Sequence, residues 1–142
     1  MSMKIQPIIP QGKYLSAIRH RDLVYTSGMT PRESGKLVYS GKIKANDSLH
    51  LHKEAIQLAT SNALSAAQSC LHEGERLSTI LQLNVFLNAE KEFLAHAKLA
   101  DYASEFLIKY LGVNCIGSRV AIGVESLPYN APVEISITAT VV

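Results

Sequence analysis

Just two stretches of this chain carry strong helical periodicity, and that limits its architecture more than any motif does. Leu49, Ile56, Ala59, Ala63, Ala67 and Cys70 recur mostly at spacings of three and four, which predicts a helix over 48–73 with caps at Asn46, Asp47 or Ser48 and a stop at Gly74. A second helix is expected after Asn88. Glu90 and Glu92 fall in its first turn, Phe93, Ala97, Ala100, Ser104, Leu107 and Leu111 form its inner stripe, and Gly112 ends it. The remaining patterned segments read as strands. Leu23 to Ser27 and Lys36 to Ser40 form an expected hairpin around a turn at Pro31 to Gly35, and residues 79–88, 118–124 and 133–142 alternate with period two. The order is ββαβαββ, an α+β chain with a mixed sheet. Two amphipathic helices cover one face of such a sheet and leave the other to solvent or to another subunit.

The faces follow from alternation. In 79–88, Leu81, Leu83, Val85 and Leu87 share one side, and Ile80, Gln82, Asn84 and Phe86 share the other. In 118–124, Val120, Ile122 and Val124 are expected under the helices, with Arg119, Ala121 and Gly123 on the open face. In the last strand Val133, Ile135, Ile137, Ala139 and Val141 take the apolar side, leaving Glu134, Ser136, Thr138 and Thr140 opposite. Arg119 and Glu134 then share the open face. The small Ala121 and Gly123 would leave room for a ligand there, and an Arg fork suits a carboxylate. A plain Arg119–Glu134 ion pair in a subunit interface satisfies the same pattern.

Composition excludes several classes. With 142 residues, 47% hydrophobic and 18% charged, the sequence describes one globular domain, 1–142, without repeats or linkers. Fourteen basic against twelve acidic residues leave a net charge of +2 and no basic run, so nucleic acid is not an expected partner. No apolar stretch approaches the ~20 residues that span a bilayer, and residues 1–10 lack the apolar core of a secretion signal. A cytoplasmic protein with Cys70 and Cys115 reduced is expected, Cys70 as packing and Cys115 in a loop. His50 and His52, two apart on a helix, cannot easily share a metal ion, and solvent-facing histidines are expected; neither metal nor cofactor is called for.

The segment from Arg119 to Ile135, RVAIGVESLPYNAPVEI, resembles the signature of the Rid family, the reactive intermediate deaminases. They are also called YjgF-like proteins and, historically, L-PSP endoribonucleases or translation initiation inhibitors. An Arg opens one strand, a Leu-Pro turn follows eight residues on, and a Val-Glu pair opens the last strand. Gly12-Lys13-Tyr14 and Thr26-Ser27-Gly28 are similar to the family's N-terminal pattern. The resemblance implies a chorismate-mutase-like fold, with sheets forming a barrel in a homotrimer and a ligand cleft at each subunit boundary.

It also implies roles. Arg119 would bind a substrate carboxylate and Glu134 would position an attacking water. Tyr14 and Ser27 would line the cleft, Tyr14 from the adjacent chain, with Ala121 standing where the best-studied branch has a Cys and Tyr129 edging the site after the Leu-Pro turn. The implied activity is hydrolysis of 2-imino acids to 2-keto acids and ammonia, in the manner of a 2-iminobutanoate/2-iminopropanoate deaminase and without a cofactor. Three rivals remain. They are a module that binds a small carboxylate without chemistry, an L-PSP-type endoribonuclease or translation inhibitor disfavoured by low charge and few aromatics, and a chorismate mutase disfavoured by the lone cation Arg119.

Overall fold

The computed structural model describes residues 7–142. Strands β1 (Ala17–His20), β2 (Leu23–Thr26), β5 (Leu77–Asn88), β6 (Ile116–Val124) and β7 (Val133–Val141) form one mixed sheet in the order β1-β2-β7-β5-β6. β5 and β6 are parallel and the other neighbours antiparallel. Parallel neighbours need a long crossover, and helix α2 (His96–Leu111) supplies it. Helix α1 (Lys53–Gln68) packs beside α2, and both lie on the same side of the sheet. The α+β class and the two-helix, one-face arrangement hold.

The core is the layer between the helices and Leu83, Val85, Leu87, Ile135 and Ile137, all at most 1% exposed. Each side chain of that size stabilises by roughly 1.5–3 kcal/mol when removed from water.

Local departures have local causes. Leu23–Thr26 pairs with the upstream Ala17–His20, turning through Arg21 at φ 55°, instead of with Lys36 onwards. Lys36–Leu37 (β4) joins Arg32–Glu33 (β3) in a two-stranded ribbon, closed by Ser34 and Gly35 at φ 50° and 79°, the positive pair a tight hairpin needs. α1 is shorter than expected. Leu49–His52 forms a 3-10 turn before it, and beyond Gln68 the backbone tightens, Leu71 N–H reaching Gln68 O. Gly74, at φ 82°, belongs to the next turn. Residues 90–95 are likewise a turn ahead of α2, so Glu90 and Glu92 lie outside the helix and Ala97 is exposed.

A register shift between Ile80 and Gln82 moves β5 by one residue, burying Ile80 and leaving Leu81 42% exposed, the reverse of the expected faces for that pair. Among the described residues no helix is long and apolar enough to cross a membrane.

Candidate functional site

Arg119 and Glu134 lie on opposite sides of the sheet. Arg119 is level with the buried Leu83, Ala121 with Val85 and Gly123 with Leu87, so these three face the helices. Val120 and Ile122 are on the open face, 40% and 45% exposed. The small residues make room for α2, not for a ligand: a Cβ on Gly123 would stand 2.7 Å from His96 Nε2. Ala121 packs against the core. Arg119 is bound to α2, its Nη1 donating to Asp101 Oδ1 at 2.8 Å and Ser104 Oγ at 3.0 Å and its Nη2 to Ala97 O at 3.2 Å.

Glu134 projects the other way, between the buried Val133 and Ile135. The register places it three residues along β7 from the level of Arg119 and two strands across, about 10 Å in each direction. No Arg119–Glu134 ion pair forms within one chain.

A cavity of about 250 Å³ opens beside the end of β2, and Glu134 lines it with Tyr14, Gly28, Arg32, Asn62 and Tyr129. Burial alone raises the pKa of the Glu134 carboxyl above its ordinary value. Gly28 admits that carboxyl: a Cβ there would stand 2.5 Å from Glu134 Oε2. Tyr14 reaches the cavity within the same chain as Glu134, and the hydroxyl of Ser27 helps to place that segment by donating to Leu15 O at 2.6 Å. Tyr129 and Asn130 are both left-handed, at φ 55° and 60°, costly for a tyrosine. Asn130 is held there by Asn88, which donates to its Oδ1 at 3.0 Å, and Tyr129 sits under the Arg32 guanidinium, 5.3 Å from ring centroid to Cζ.

The cavity thus collects Tyr14, Tyr129 and Glu134 of the expected site residues. Ser27 contributes through the backbone beside it, and Arg119 and Ala121 lie across the sheet. Arg32 was missed, because nothing in a Pro-Arg-Glu-Ser-Gly turn shows that its side chain folds over a hollow. Cys115 lies in the loop before β6 as expected, yet it is buried, 3% exposed, and burial raises its thiol pKa. His52 is not solvent-facing either, its ring meeting Asp47 Oδ2 at 2.9 Å.

Two helices on one face of a β1-β2-β7-β5-β6 sheet, with a carboxyl-bearing cavity at the sheet's margin, define a YjgF-type α+β domain. The family model described as Endoribonuclease L-PSP matches residues 4–141, and the chain belongs to that family. Among solved structures, it is similar to the protein Atu1372 of unknown function from Agrobacterium tumefaciens, with TM-score 0.84 and 27% identity over 94% of this chain and 86% of that one. E. coli TdcF, crystallised with bound serine, shares the fold at TM-score 0.62 and 17% identity, over 99% and 95% of the two chains. Protein TCP17 of Trypanosoma cruzi is 26% identical over 128 residues, 89% of this chain and 79% of that protein.

Proposed function

We propose that this chain hydrolyses small 2-imino acids to 2-keto acids and ammonia, with Glu134 directing the water. The observation that carries the reading is a desolvated carboxyl opening onto a small cavity that Tyr14 and Tyr129 also line. As carboxylate, Glu134 takes a proton from water while the water oxygen adds to the C=N carbon, and the resulting carboxyl hands that proton to the nitrogen. Glu134 then carries the carbinolamine's hydroxyl proton to the amino group, which leaves as ammonia as the C–N bond breaks and C=O forms. An imine is already electrophilic, so the reaction asks of the chain only that it hold the water and shuttle a proton in each of the two steps, chemistry that calls for neither metal nor cofactor.

The rest of the proposal is a homotrimer. Ile18, Tyr25, Val120 and Ile122 expose apolar surface on the open face of the sheet, and packing that face against other copies would remove it from water. Arg119 faces the helices, but β6 is an edge strand. Arg119 joins the reaction only where the boundary also runs along that edge and its guanidinium exchanges Asp101 for the substrate carboxylate beside the next copy's cavity. That TdcF was crystallised with serine supports an amino-acid-like ligand.

Ammonia release from an imine freshly made by an amino-acid oxidase tests the chemistry. Wild-type protein is expected to accelerate release over buffer, and Glu134→Gln to lose roughly a hundred- to ten-thousandfold of that acceleration. Keto-acid binding in calorimetry with no acceleration by the wild type would sink the enzyme reading and leave a carboxylate-binding module.

A further inference from the structure

We propose that Arg32 selects imino acids whose side chain ends in a second carboxylate, the four- and five-carbon dicarboxylic class. This rests on the reading above, in which the α-carboxylate belongs to Arg119 of a neighbouring copy and the C=N carbon to the water on Glu134.

The guanidinium is held in place before any ligand arrives. Asn62 of α1 donates to the backbone oxygens of Thr30 at 3.1 Å and Arg32 at 3.0 Å, fixing the start of the β3–β4 ribbon. Arg32 Nη1 donates back to Gly35 O at 2.8 Å, its Nε to Thr30 Oγ1 at 3.3 Å, and Tyr129 lies beneath. A side chain so constrained loses little further freedom on binding. Its Nη2 has no hydrogen-bond partner among the described residues, and no carboxylate there pairs with it, whereas Arg19 and Arg119 are both in ion pairs.

Glu134 lines the same cavity as Arg32, yet the two form no ion pair. A cation and a carboxyl fixed apart around one small hollow suit a ligand with two different ends, the reacting carbon at Glu134 and an anionic tail at Arg32. A carboxylate takes two parallel hydrogen bonds from an Arg fork, and a methyl group takes none.

Calorimetry with 2-oxoglutarate and 2-oxobutanoate, on wild type, Arg32→Leu and Arg32→Lys, tests this independently of catalysis. Wild type is expected to prefer the dicarboxylate by roughly ten- to hundredfold, the factor of one charge-assisted interaction. The preference should collapse in Arg32→Leu and partly return in Arg32→Lys. Equal affinities in the wild type, or a preference unaltered in Arg32→Leu, would overturn the proposal. A preference that follows Arg32 in a protein showing no imine turnover would uphold this selectivity and sink only the enzyme reading. Thermal melts of each variant separate misfolding from lost recognition.

Discussion

Gly28 and Glu134 are 106 positions apart, yet the absence of one side chain fixes where the other can stand. Gly28 has no left-handed φ, so alanine fits its backbone, and the atoms it would meet are the movable end of Glu134. Gly28→Ala is therefore expected to fold with little change in melting temperature while displacing the carboxyl, costing roughly a hundredfold in imine kcat/KM. The titration of Glu134 gives a second handle. Its pKa is raised, so the folded state disfavours the charged form, and stability fully present at low pH is lost as pH rises through the folded pKa. Melts against pH should show wild type losing stability relative to Glu134→Gln as pH climbs, and the acid limb of activity should lie above the ordinary carboxylate range.

Alternation separated Arg119, Ala121 and Gly123 correctly from Val120, Ile122 and Val124. It could not say which set meets the helices, and the sides were reversed. Branched apolar residues look like core and small ones like surface. A helix lying close on a strand inverts that rule, because the side chains beneath it must be small.

At the level of elements, the β1–β2 hairpin is tied to the turn between α1 and β5 by Arg19, whose Nη1 and Nη2 donate to Glu75 Oε1 at 2.5 Å and Oε2 at 2.8 Å. Together with the N–H of His72, that fork draws the Glu75 pKa down to about 2. Its contribution is therefore present above the ordinary carboxylate pKa and lost as pH falls toward 2. Glu75→Gln is expected to melt below wild type at neutral pH, with the gap closing on acidification. A gap independent of pH would remove the ion pair as its cause.

The hairpin was misassigned because residues 17–20 are short and mixed in polarity, and the side chain that anchors them, Arg19, reaches a partner far along the chain. The longer periodic elements, α1, α2, β5 and β7, were legible because many residues repeat one pattern. Their ends were less so, since no side chain caps either helix start.

For the molecule as a whole, the unsettled surface is the open face. Its centre is polar, with Ser118 donating to Gln82, Gln82 to Asn84 and Asn84 to Ser136, and its margins carry Ile18, Tyr25, Val120 and Ile122. If copies meet through this face and along the edge strand β6, which carries both Ile122 and Arg119, Ile122→Lys should lower the mass seen by light scattering from trimer toward monomer and reduce imine turnover with it, because the edge holding Arg119 would no longer lie beside a neighbour's cavity. A wild-type monomer that still turns over imine would rule out the shared site.

The strand order carries one more consequence. β7 follows the other four strands of the sheet in the sequence, yet it lies between β2 and β5, joining the early hairpin within the sheet to the pair made by β5 and β6. During synthesis the two fragments of sheet can join only once β7, made after both, slides between them, and the carboxylate arrives on the piece that closes the gap.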